Sequence, residues 1–228
     1  MSRVLVFSCT HNPFMKAGYV SFLKRVSSRF RCNMAINLGD EVDHHMISDY
    51  EKDPDAMGAK EEYLKAIQGL KDLYKAFPKA LCCHSNHTSR HTRKGASVGI
   101  PSVYFRSLRE LLEAPAGWKW ADEWEIDGVE YFHGEGFSGE KGHRDAARTR
   151  MNSVVMGHLH GIGGVEYIAT VKDRVFGMCV GCGIDYKAYA FKYGKAAKLK
   201  PIIGCGVVLN GKEAFFIPMD LGKRLLKW

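Results

Sequence analysis

The first 87 residues alternate short apolar runs with longer stretches of helical spacing, and each apolar run stops at residues that carry chemistry. Arg3 to Ser8 reads as a strand, and Ala17 to Arg29 places Tyr19, Val20, Phe22, Leu23 and Val26 at helical spacing. Met34 to Leu38 reads as a second strand. Glu61 to Phe77 gathers Tyr63, Leu64, Ile67, Leu70, Leu73 and Tyr74 on one face before Pro78 stops it, and Lys79 to Cys83 is a third strand. This order predicts parallel strands joined by right-handed helical crossovers. Sheets of that kind bind ligands beyond the carboxyl ends of their strands. Cys9-Thr10-His11, Gly39 to Asp43 and Asn86-His87 stand at those ends.

The second half is richer in short strands. A helix is expected around Ser102 to Glu113, then strands at Trp124 to Ile126, Val129 to Phe132, Val154 to Met156, Val165 to Ile168, Val175 to Val180, Ile202 to Leu209 and Ala214 to Pro218. Asp127-Gly128, Gly163-Gly164 and Asn210-Gly211 are expected turns, the last two flanked by runs suited to hairpins. His133-Gly134 closes one of these strands and Gly157-His158-Leu159-His160 follows another. Both halves together suit an α/β chain with two mixed sheets and helices outside. Asp43 to Ala59 is the expected long loop at the site.

At 228 residues the expectation is one domain, 1–228, and 46% hydrophobic with 25% charged residues excludes a disordered or fibrous chain. No apolar run approaches the ~20 residues of a membrane helix, and no signal-peptide pattern is visible, so a cytoplasmic protein is expected. The seven cysteines follow no disulfide spacing. Cys82 and Cys83 suit core packing, and Cys179 and Cys182 read as buried strand cysteines rather than a zinc knuckle, because a second such pair is missing. The net charge of +8 suits anionic partners such as nucleic acid or phosphorylated metabolites, or simply a basic surface. Basic residues are densest at Arg90 to Lys94, Arg144 to Arg150 and Lys192 to Lys200.

Histidine, aspartate and asparagine at several strand ends point to metal. His158 and His160, two residues apart in extended chain, aim to the same side, and flanking glycines leave room for ions and phosphate. Asp40 is expected to place one oxygen on each of two cations, ~4 Å apart, as two-metal phosphoester cleavage requires. Imidazole and amide ligands keep such a pair cationic. It can then acidify a bridging water and stabilise a phosphorane-like transition state.

With these residues in place the chain resembles the calcineurin-like metallophosphoesterases, whose dispersed blocks are D-x-H, G-D-x-x-D, G-N-H, a single His and G-H-x-H. Here they stand as Cys9-Thr10-His11, Gly39 to Asp43, Ser85-Asn86-His87, His133 and Gly157 to His160. Details at Gly39 to Asp43, Ser85 to Arg90, Gly181 to Asp185 and Ala188 to Phe191 resemble the phage-encoded branch. The resemblance implies a four-layer αββα sandwich of two mixed sheets flanked by helices, and a cofactor of two divalent metal ions. One metal would take Cys9, His11, Asp40 and His160, and the other Asp40, Asn86, His133 and His158. His87 would be a general acid or a phosphate-binding imidazole. Asp43 would either support the ligands or be a solvated loop residue.

Two residues depart from the pattern. Ser85 replaces a glycine, a small change if the backbone there avoids positive φ. Cys9 replaces an aspartate, and a thiolate favours zinc or iron(II) over magnesium. Three outcomes follow: an active dinuclear enzyme using manganese, zinc or iron, in which Cys9 is a ligand or a tolerated gap; one tight metal with a second arriving with substrate; or a catalytically impaired fold serving as a nucleic-acid-binding module. For the active case the expected substrate is a phosphodiester in nucleic acid or a nucleotide. Arg90 is read as a phosphate clamp or a surface salt bridge. His143, Arg144, Arg148 and Arg150 form a phosphate-contacting face or the solvated side of a helix. Trp118, Trp120 and Trp124 stack on bases or pack in the core.

Overall fold

A computed structural model describes residues 1–49, 52, 55–169, 171, 173–187 and 200–220. β1 (Arg3–Phe7) opens the chain, followed by α1 (Tyr19–Phe30), β2 (Met34–Asn37), α2 (Ala59–Ala76) and β3 (Lys79–Cys83). Then come α3 (Arg90–Ser97), α4 (Leu108–Leu111), β4 (Gly117–Ala121), β5 (Glu123–Ile126), β6 (Val129–Phe132) and α5 (Gly142–Arg150). β7 (Ser153–Met156), β8 (Gly163–Ala169), β9 (Arg174–Val180), β10 (Gly204–Leu209) and β11 (Glu213–Pro218) complete it. A six-stranded sheet runs β11-β10-β1-β2-β3-β4, and a five-stranded sheet runs β5-β6-β7-β9-β8. β1 to β4 pair in parallel, as do β6 with β7 and β7 with β9, while β10, β11, β5 and β8 pair antiparallel with their neighbours.

Side-chain alternation builds the layers. Leu5 and Phe7 of β1 face one way, into a core with Tyr19, Phe22, Leu23 and Val26 of α1 and Ile67, Leu70 and Leu73 of α2. Val4 and Val6 face the other way, against Val155, Phe176, Met178 and Val180 of the second sheet. Ala146 and Ala147 of α5 cover that sheet's far face with Phe132, Val154 and Met156. The result is the expected four-layer αββα sandwich. A strand buried on both faces reads as a continuous apolar run, which is why β1 was plain in the sequence.

Several details differ from expectation. Leu64 is exposed, and α2 buries Glu62, Ala66, Ile67, Leu70 and Leu73, while Tyr63 and Tyr74 lie at the edge and donate to the Leu111 and Leu112 carbonyls. The helix expected at Ser102 to Glu113 is broken: Phe105 is extended, and Ser107 starts the four-residue α4 with a capping box to Glu110. Asp127-Gly128 and Asn210-Gly211 form tight hairpins with positive φ at all four residues. Gly163-Gly164, however, lies inside β8, where a side chain on Gly163 would strike the Phe216 ring. β4 and α3 have no counterpart among the expected elements. Trp118, Trp120 and Trp124 all bond inward, to the Phe77 carbonyl, Glu41 and the Cys82 carbonyl, so they pack rather than present faces to a ligand. Among the described residues no helix is long and apolar enough to cross a membrane. Residues 188 to 191 and most of the basic run at 192 to 200 lie outside the described residues, as do positions 50, 51, 53 and 54 of the expected long loop.

Candidate metal centre

The parallel strands deliver the site. β1, β2, β3, β6 and β7 end at Cys9, Asp40, Asn86, His133 and His158 respectively, within one to three residues of each strand's last residue. Beyond the sheet the loops stay tied: Cys9 N–H donates to the Gly39 carbonyl, His11 N–H to that of Asp40, and Gly157 N–H to that of His133. Cys9, His11, Asp40 and His158 all adopt positive φ, from 43° to 64°. Each such non-glycine residue costs about 1 kcal/mol or more, and strain of this kind gathers at functional sites. At Gly39, φ is 101° and an added Cβ would lie 2.5 Å from Ser85 Cβ, so glycine is required there.

Among the described residues three groups could hold a metal: His11, Asp43 and His87 form one, and the other two share Asp40. Donor atoms of Cys9, His11, Asp40 and His160 lie within 4.8 Å of one another, and so do those of Asp40, His133 and His158. Asn86 Oδ1 joins the second set, 2.9 Å from His133 Nε2. Asp40 does not offer one oxygen to each set, as expected. Its Oδ1 accepts from the His87 main-chain N–H at 3.0 Å, whereas Oδ2 alone faces both sets, 3.5 Å from His11 Nε2 and 3.3 Å from His133 Nε2.

The imidazoles are aimed by partners on their far nitrogens. Asp43 Oδ1 lies 2.7 Å from His11 Nδ1, and the Leu38 carbonyl accepts from His133 Nδ1 at 2.7 Å, which turns both Nε2 atoms inward. Asp43 is buried, so of its two readings the supporting one fits. Ser85 avoids positive φ and does more than replace a glycine: its Oγ accepts the Asp40 main-chain N–H at 2.7 Å. Glu62 of α2 accepts from the His45 and Met46 N–H groups and anchors the loop after Asp43. Neither Ser85 Oγ nor the Leu38 carbonyl carries a signature that a sequence reading could detect.

Charge is arranged around Asp40. Burial opposes its ionisation, but His133, His87 and His11 outweigh this and hold its carboxyl well below the usual carboxylate range. Burial and neighbouring imidazoles push His11 and His160 down and His158 down to about 4, leaving neutral lone pairs. His133 and His87 are pushed up despite burial, because Asp40 faces both. Burial, then the Asp40 charge, raises the Cys9 thiol. A carboxylate oxygen ringed by imidazoles, an amide oxygen and a sulfur is a donor set that divalent transition metals fit.

Arg90 is neither a surface salt bridge nor a free clamp. It is buried, its Nη1 donates to the Asp43 and His44 carbonyls at 2.8 and 3.1 Å, and its Nη2 lies 3.3 Å from His87 Nε2. The 143–150 segment is also committed elsewhere: His143 is buried, Arg144 faces Glu166, and Arg150 binds Glu123 and Glu130 over the Phe132 ring. Only Arg148 of that group is exposed. Cys179 and Cys182 point at carbonyls of Gly157, Leu159, His160 and Ile202 and support the loop that carries the two histidines.

No protein-family model matches the chain, and no curated protein does. Among solved structures it is similar to YfcE, a phosphoesterase from E. coli, at 11% identity over 91% of this chain and 88% of that one, with a TM-score of 0.44. It is similar to zinc-complexed Vps29 from Entamoeba histolytica at 14% identity over 93% and 88%, TM-score 0.42. Vacuolar protein sorting 29 from Cryptosporidium parvum matches at 10% identity over 94% and 98%, TM-score 0.42. Likenesses this slight bear on neither activity nor ligand, and the metal centre stands on the chain's own residues.

Proposed function

We propose that this chain is a metal-dependent phosphoesterase of the calcineurin-like kind, acting as a phosphodiesterase or nuclease on nucleic acid or nucleotides. The observation that carries this reading is Asp40 Oδ2, one buried oxygen shared by two ligand sets. Two divalent cations bound there would supply Lewis-acid stabilisation of charge on a phosphoryl group and lower the pKa of water. Asp40, His11 and His160 would hold one cation, with position 9 offering a fourth donor, and Asp40, Asn86, His133 and His158 would hold the other. His87 is half-buried beside Asn86 and its Nδ1 is taken by Asp43, so its Nε2 edge, 3.3 Å from Arg90 Nη2, is the one that would face a phosphate or leaving oxygen. Arg90 positions that imidazole. The net charge of +8 supports a polyanionic substrate. The finer reading, a resemblance to the phage-encoded branch, draws on the sequence at residues 39–43, 85–90, 181–185 and 188–191.

Hydrolysis of bis-p-nitrophenyl phosphate or short DNA with manganese, zinc or iron(II) tests the reading, with turnover abolished by His87→Ala and by Asp40→Asn. Absence of turnover with manganese, zinc and iron(II) alike would overturn it. Cys9, standing where the family has aspartate, favours a second reading in that case: a catalytically impaired nucleic-acid-binding module. Salt-sensitive DNA binding indifferent to chelator would identify it.

A further inference from the structure

Cys9 differs from Cys83, Cys179 and Cys182 in what its sulfur meets. Cys83, Cys179 and Cys182 direct their thiols at main-chain carbonyls, as buried S–H donors do. Cys9 Sγ instead lies 3.1 Å from the Ser8 hydroxyl and 4.0 Å from Asp40 Oδ2. Among the described residues it is the one cysteine that belongs to a metal-capable cluster.

The spacing of that cluster is informative. In a tetrahedral centre with metal–sulfur bonds of ~2.3 Å and metal–nitrogen or metal–oxygen bonds of ~2.0–2.2 Å, neighbouring donor atoms stand about 3.3–3.8 Å apart. Here the separations are 3.1 Å for His11 Nε2 to His160 Nε2, 3.5 Å for His11 Nε2 to Asp40 Oδ2 and 4.0 Å for Cys9 Sγ to Asp40 Oδ2. They bracket the tetrahedral edge. Gly157 is needed for this packing, since a Cβ there would fall 2.1 Å from Ser8 Oγ. The second set contains oxygen and imidazole donors alone. The two sets therefore differ in softness, and softness selects metals.

We propose that Cys9 is a ligand, and that it makes the first site a thiolate site selective for zinc, cobalt or iron(II) over manganese and magnesium. The second site accepts the harder ions and exchanges them, so the pair is mixed and unequally held. This inference rests on the dinuclear reading proposed above.

Cobalt(II) titration of the chelator-stripped, reduced protein tests it. The tighter equivalent should show a near-ultraviolet sulfur-to-cobalt charge-transfer band, which zinc abolishes and a 100-fold excess of manganese leaves in place. Cys9→Ser and Cys9→Asp should both lose the band. Cys9→Ser should also lose at least 10-fold in zinc affinity, while Cys9→Asp gains manganese binding at that site. Cys182→Ser, beside the site, should keep the band. Cobalt binding without the band in the unaltered protein, survival of the band in Cys9→Ser, or ready displacement by manganese would overturn the proposal. The unaltered protein decides the matter even if a variant fails to fold. A band without phosphoester turnover would sink the catalytic reading and leave this one standing; turnover without a band would do the reverse.

Discussion

Asp43 Oδ1 sits 2.7 Å from His11 Nδ1 and 2.9 Å from His87 Nδ1, so one buried carboxylate oxygen orients both imidazoles. Burial opposes its charge, but the two imidazoles prevail and keep its carboxyl strongly ionised. Asp43 thus does for His11 what the Leu38 carbonyl does for His133. The difference is that a carboxylate also adds basicity to the ligand it holds.

Asp43→Asn keeps the shape and removes the charge. Metal affinity at the first site is expected to fall about 10–100-fold, the usual consequence of losing an outer partner of a ligating histidine. Competition against a chromophoric chelator measures it. Unchanged affinity would show that the Asp43–His11 contact plays no part in binding.

Ser85→Ala should unfold more readily than the parent. The Asp40 N–H, 2.7 Å from Ser85 Oγ and fully enclosed, would lose its acceptor, a cost of about 1–3 kcal/mol. Denaturant titration with an unchanged slope is the measurement. A midpoint identical to the parent would mean that another acceptor takes the N–H.

Arg90→Lys removes the planar fork that reaches two carbonyls and His87 at once. One ammonium cannot replace that geometry, and a loss of about 1–3 kcal/mol is expected even though charge is kept. If Arg90 instead acted only as an exposed phosphate contact, stability would not change and affinity for phosphate analogues alone would drop.

The chelator-treated protein should be most stable near pH 6.5. Above that value His87 and His133 govern: their folded pKa values are raised, so their stabilisation is full below the unfolded value near 6.5 and is lost as pH rises through the folded ones. Below it His44 and His158 govern, both lowered to about 4, with His11 and His160 lowered as well. These four are neutral in the fold, so their stabilisation is lost as pH falls from 6.5 toward 4. Glu41 and Glu62, raised by burial, offset part of that loss. Thermal midpoints across pH 4.5 to 8.5 test this, and a monotonic rise toward acid would contradict it.

Most of the site residues were legible in the chain because each lies just past a strand whose apolar alternation is a local property. Cys9, His11, Asp40, Asn86, His133, His158 and His160 could be picked out from their neighbours alone, and the layered α/β architecture followed from the order of periodic segments. The helix expected at 102–113 failed for an equally physical reason. Apolar content there is high, but Phe105 turns out of the helix to pack its ring on Gly95. Periodicity does not report such a docking.

What the tertiary structure alone decided is how those residues meet. His133 finds its acceptor 95 residues away at Leu38, and His11 faces His160 across 149 residues. Which oxygen of Asp40 serves both sets, why Arg90 turns inward, and what surrounds the Cys9 sulfur are likewise set by contacts between distant loops. The sequence by itself named the donors, because donor chemistry resides in single side chains. Their shared oxygen and their orientation belong to the folded chain, because a hydrogen bond has direction and its partner can lie anywhere along the sequence.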